Sequence, residues 1–208
     1  MNNETVGVSA ELAIADTFNV EVSPLYRDRG DEDIIDSISV IVENVFERLN
    51  IPFPVEHIAE NQNPIDFILG NDQTLSVKSN QQRLGLVAPQ VIGQPTSETY
   101  FAFLRDEFGF DVNRELRRLR LPDTYESKAY IFKCFSVDNI CMMLDVYWRY
   151  MFHCDHYMHF YNVLDRFGGL TNNPRCIVLR DLPEHVRWDP NLISFTQTVN
   201  TWSECNNT

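Results

Sequence analysis

Two spacings of apolar residues alternate along this chain, and they divide it into helical and extended segments. Residues 7–18 carry Leu12, Ala15 and Phe18 at helical spacing, with Ser9 placed as an N-cap. Residues 34–49 repeat the pattern with Ile34, Ile38, Ile41, Val42, Val45 and Phe46, and Pro52 and Pro54 mark the stop. The period then shortens. Residues 64–69 and 74–80 read as two short strands around the turn Gly70, Asn71, Asp72, Gln73, which predicts a hairpin at about 64–80. Beyond a loop, a helix is expected from Glu98 to Phe108, followed by the basic run of Arg114, Arg117, Arg118 and Arg120. Residues 127–168 form an aromatic-rich region of mainly helical pattern, and strands are expected again at 176–179 and 192–199. No internal repeat is present. Helices around a central hairpin with late strands predict an α/β (α+β) fold, a mixed sheet flanked by helices, in one domain spanning 1–208.

The hairpin holds the most informative chemistry. Asp66 stands in an apolar run, between Ile65 and Phe67, Ile68 and Leu69, where an uncompensated carboxylate is costly. Lys78 ends the apolar run of the second strand. Pairing brings the carboxylate and the ammonium close together. A carboxylate can hold a divalent cation by oxygen, and a lysine can orient an attacking water and offset charge on a phosphate.

Composition alters this picture little. The 208 residues are 44% hydrophobic, as in a globular protein, and no apolar run reaches membrane-spanning length. With no basic-then-apolar leader pattern, a cytoplasmic location is expected. Cys134, Cys141, Cys154, Cys176 and Cys205 are odd in number and scattered, which predicts free thiols and no four-cysteine zinc site. The formal charge of −13 runs against a nucleic-acid partner, but it is concentrated early: residues 1–70 hold 14 acids and 3 bases. The remainder is close to balance, and clustered carboxylates are what recruit divalent ions.

Three blocks together resemble type II restriction endonucleases of the PD-(D/E)xK nuclease superfamily. They are Val8, Ser9, Ala10 and Glu11 with the helix that follows; Asp66 and Phe67 with Leu75, Ser76, Val77, Lys78, Ser79 and Asn80; and residues 89–94. The resemblance implies a restriction-endonuclease-like core and a Mg2+-dependent endodeoxyribonuclease acting on double-stranded DNA. It implies Asp66 and Glu11 as metal ligands with the Val77 carbonyl, and Lys78 as the residue that positions water. It also implies a homodimer on a palindromic site and a cognate DNA methyltransferase as functional partner. The acid expected two places before the lysine is Ser76, so Glu98 on the following helix becomes the candidate for an additional acid. Ser79, Asn80, Gln82 and Arg83 are the candidate DNA contacts, since amide side chains read adenine and arginine reads guanine.

Two other readings remain open. Ser76 and the negative charge fit a non-catalytic DNA-binding or interaction protein with a degenerate nuclease fold. His153, His156 and His159, with His185 in the tail, fit a small metal-binding protein, provided ligands come from more than one segment.

Overall fold

The computed structural model describes residues 3–59, 63–82, 98–184 and 186–189. The chain divides into two compact units, the first formed by Met1–Val87 and Tyr150–Pro183 and the second by the intervening segment and the chain from Glu184. Arg83, His185, the block at 89–94, the expected strand at 192–199 and Cys205 lie outside the described residues.

The first unit contains helices α1 (Asn3–Phe18), α2 (Pro24–Arg27) and α3 (Glu32–Leu49), and strands β1 (Pro54–His57), β2 (Phe67–Leu69), β3 (Thr74–Ser79), β4 (His156–Tyr161) and β5 (Arg175–Arg180). The strands form one mixed sheet in sequential order. Only β3 and β4 pair in parallel, and their connection runs through the second unit. A parallel pair needs such a crossover because a tight turn cannot join strands that run the same way.

Helix α3 follows its predicted pattern. Asp31 caps it by accepting from the Ile34 amide at 3.2 Å, and Asn50 closes it in the left-handed conformation. Ile34, Ile38, Val42, Val45 and Phe46 are buried. Helix α1 differs from expectation. It begins at Asn3, so Ser9 is an interior residue, and its hydroxyl donates to the Thr5 carbonyl at 2.8 Å while accepting from the Asp31 amide at 2.9 Å. The helix is also buried well beyond a single stripe: Val6, Val8, Ala10, Leu12, Ala13, Ile14 and Ala15 all join the core. A helix enclosed on most sides loses the amphipathic signature that marks a surface helix.

One core joins α1 and α3 to Phe67, Leu69, Leu75, Val77, Met158 and Phe160 of the sheet. Two strands depart from the sequence reading. β1 begins at Pro54 itself, two residues after Pro52, at the edge of the sheet where proline is tolerated. Residues 156–161, read as helical, form β4. Five of its six residues are buried, so no alternation of apolar and polar residues distinguishes it from a buried helix.

The second unit contains α4 (Glu98–Phe108), α5 (Val112–Leu119), α6 (Tyr125–Asp138) and most of α7 (Ile140–Met151). Its own core is Leu104, Val112, Leu116, Ile131, Phe132 and Met143. The basic run forms α5. Asp111 caps its start, Glu115 pairs with Arg118 at 2.6 Å, and Arg117 and Arg118 sit in its last turn. Those bases fall near the negative end of the helix dipole, which stabilises them there without any ligand.

Candidate active site

The β2–β3 hairpin assembles the site. Phe67 is paired with Leu75, and the Asp66 amide donates to the Leu75 carbonyl at 3.0 Å, so Asp66 enters opposite Ser76. Asp66 is 5% exposed. Its Oδ2 accepts from the Val77 amide and from Lys78 Nζ at 3.4 Å, with the Ser76 hydroxyl oxygen 3.3 Å away. Among the described residues, its Oδ1 has no hydrogen-bond partner.

Burial dominates the electrostatics of this carboxyl. It pushes the pKa of Asp66 up to about 7; Lys78 and the Val77 amide oppose the rise, whereas the charge of Glu11 adds to it. Glu11 and Asp66 are therefore close enough to act on one another. Glu11, buried in α1, accepts from the Tyr26 hydroxyl at 2.6 Å and has His57 Nε2 at 3.1 Å.

Lys78 keeps its side chain 28% exposed while its Nζ donates to Ser76 Oγ and to the Val77 carbonyl, each at 2.8 Å. Ser76 thus occupies the expected acid position as an orienting group. Its hydroxyl donates to the Pro64 carbonyl at 2.9 Å and accepts from the lysine. A serine hydroxyl has one proton and two lone pairs, so it can serve both sides at once.

Two carboxylates and a main-chain carbonyl are hard oxygen donors, the chemistry that suits Mg2+. Among the described residues, no group of three or more His, Cys, Asp or Glu side chains is arranged to hold a metal ion. A cation at this site would have to displace Lys78 from the Val77 carbonyl and draw on the Glu11 and Asp66 oxygens.

The remaining candidates fall as follows. The hydroxyl of Ser79 lies beside Gly7 of α1, where an added Cβ would come within 3.6 Å of it. Asn80 Oδ1 accepts from His159 Nε2, and Gln82 Nε2 donates to the Asp165 carbonyl at 3.5 Å. Glu98 starts α4 in the second unit, and its side chain lies outside the described residues.

The histidine run does not form a metal centre as read. Because 156–161 is a strand, His156 and His159 point to opposite faces of the sheet, and His153 is exposed. His156 bonds Gln73 at 2.9 Å, and burial lowers the pKa of both strand histidines.

Other residues border the site in positions that the sequence reading did not assign to them. The register sets His159 beside Lys78, whose charge further lowers the pKa of that histidine. The Cys154 thiol accepts a hydrogen bond from the Ser76 main chain, and burial raises that thiol to about 11. Tyr26 and His57 hold Glu11. The only sequence signal for these two was an aromatic and a histidine next to proline-bounded segments, which is not specific.

In class, this is an α+β protein with a buried carboxylate at the entry of one strand and a lysine on the adjacent strand of a mixed sheet. No protein-family model matches the chain, and no solved structure does. The chain is similar to the type II restriction enzyme CviAII of Paramecium bursaria Chlorella virus 1, at 31% identity over 141 residues. The match covers 67% of this chain and about a third of the relative's length, 33%.

Proposed function

We propose that this chain carries the hydrolytic centre of a type II restriction endonuclease, cutting double-stranded DNA in a Mg2+-dependent reaction. The observation that carries the proposal is the buried Asp66 carboxylate with Lys78 Nζ 3.4 Å away on the neighbouring strand. The similarity to a type II restriction enzyme supports the same reading.

Asp66 and Glu11, with the Val77 carbonyl, would hold Mg2+, which when bound supplies Lewis-acid polarisation of the phosphate and a lowered pKa for water. Lys78 has its ammonium set by Ser76 and the Val77 carbonyl, 28% exposed and so able to reach a substrate. In its role it donates to the attacking water or to a phosphate oxygen, aligning the water for in-line attack and offsetting the charge that develops. Ser76 holds the lysine in that orientation, and Glu98 is the candidate for an additional acid. Ser79, Asn80, Gln82 and Arg83, which follow Lys78 directly, are the proposed DNA contacts. A homodimer would set two centres on the two strands of a palindrome, and a cognate methyltransferase would protect the host site. One nuclease domain spanning the chain, in the cytoplasm, completes the reading; among the described residues, no helix is long and apolar enough to cross a membrane.

A second reading is favoured by one observation: Lys78 already occupies the Val77 carbonyl, and Ser76 replaces an acid. It describes a DNA-binding or interaction protein whose centre no longer turns over. Cleavage of plasmid and phage DNA by the purified protein in Mg2+ separates the two, beside the Lys78→Ala variant and an EDTA control. Discrete fragments lost in both controls support the nuclease. Binding without cleavage supports the second reading.

A further inference from the structure

Two polar side chains buried near the site have no part in the chemistry above. Tyr26 from α2 and His57 from β1 converge on a single oxygen of Glu11 on α1: the tyrosine hydroxyl donates to Oε2 at 2.6 Å, and His57 Nε2 lies 3.1 Å from the same atom. The His57 side chain is 2% exposed and that of Glu11 10%. Burying a carboxylate, a phenol and an imidazole together carries a desolvation cost, and apolar residues of similar volume serve packing at least as well. The rings also pack against one another. Tyr26 meets His57 edge to face with ring centroids 4.7 Å apart, His57 meets Phe67 in the same way at 5.0 Å, and the Arg29 guanidinium lies 4.8 Å over the Tyr26 ring.

The consequence falls on Glu11. A glutamate has three rotatable side-chain bonds, and two donors on one oxygen remove most of that freedom. Oε2 is fully engaged, whereas Oε1 has no hydrogen-bond partner among the described residues.

We infer that Tyr26 and His57 are positioning residues, which lock Glu11 through Oε2 so that Oε1 is left to share a divalent cation with Asp66. This rests on the hydrolytic reading above. Side chains that orient a ligating carboxylate through its second oxygen change metal affinity when removed, even though they never touch the metal.

The test is Mn2+ binding to the full-length, DNA-free protein, read from the electron paramagnetic resonance signal of the free ion. Wild type is compared with Asp66→Asn, Glu11→Gln, Tyr26→Phe, His57→Ala and His57→Gln, each first checked for native far-UV circular dichroism. Tyr26→Phe keeps the ring and removes only the donor. A site in wild type that is lost in Asp66→Asn and Glu11→Gln is expected, with affinity falling about 10- to 100-fold in Tyr26→Phe and in His57→Ala. His57→Gln, which restores an N–H donor, should recover part of the loss; a merely structural role for the ring predicts no such recovery. An Asp66-dependent site bound equally well by Tyr26→Phe and His57→Ala overturns the inference alone. No Asp66-dependent site in wild type overturns the hydrolytic reading and the inference with it.

Discussion

Replacing Asp66 by Asn should make the metal-free protein more stable at alkaline pH, although it removes a charged partner from Lys78. The pKa of this carboxyl rises from 3.8 to about 7 in the folded chain, with burial as the largest cause. A folded pKa above the unfolded one means that the native state binds the proton more tightly. Stability from this group is therefore fully present below about pH 4 and is lost as pH rises through about 7. At about 1.4 kcal/mol per unit, the cost of ionising Asp66 reaches roughly 4 kcal/mol by pH 8, with roughly 2 kcal/mol already present at pH 5. Asn keeps an oxygen to accept from the Val77 amide and removes the titration, and Lys78, partly exposed, can turn toward water. Urea unfolding of both proteins in EDTA at pH 5 and pH 8 measures the effect. Far-UV circular dichroism is the suitable probe, because Trp148 and Trp188 both lie in the second unit. The strand histidines titrate in both proteins, so the difference between the proteins isolates Asp66. The expected gain for Asp66→Asn is larger at pH 8 than at pH 5 by about 2 kcal/mol. Equal gains at the two pH values, or a loss at pH 8, would refute the claim that desolvation governs this carboxyl.

Truncating Phe46, fully buried with its ring centroid 4.7 Å from that of Phe18, to Ala should cost about 3–5 kcal/mol in the same urea assay. Asp31→Ala removes the acceptor for the Ile34 amide at the start of α3 and should cost about 0.5–2 kcal/mol, recovered in large part by Asp31→Ser. In Gly30→Ala the new Cβ meets the fully buried Leu12 side chain, so a loss of about 1–3 kcal/mol is expected, and a gain in stability would count against the packing described. Alkylation at pH 8 followed by mass spectrometry should label exposed Cys134 before Cys154 and Cys176, whose thiols burial raises to about 11 and 12.

What could be read from the sequence was local. Helix α3 announced itself by its period and by the prolines beyond its end, and the β2–β3 hairpin by two short apolar runs around a polar turn. Asp66 and Lys78 stood out because a carboxylate within an apolar strand must be compensated, and the compensation lay within twelve residues along the same hairpin. Their 3.4 Å approach follows from hairpin pairing alone. Residues 156–161 gave no such signal. Enclosed on both faces of the sheet, they lack polar alternation, and their parallel partner β3 is reached only after the chain has built a second unit.

Tertiary structure alone decided the surroundings of the pair. Glu11 could be proposed from its helix, yet its bonds to Tyr26 and His57 depend on how α1, α2 and β1 converge, and spacing along the chain does not encode that convergence. The same holds for Ser76. Its residue type marked a departure from the expected motif, but only the approach of the β2 segment to β3 gave its hydroxyl the Pro64 carbonyl, beside the Lys78 ammonium two residues along its own strand. Periodicity specifies which side of an element faces an apolar neighbour; which polar atoms meet there is settled by contacts between residues far apart in the chain, and those exist only once the core has closed.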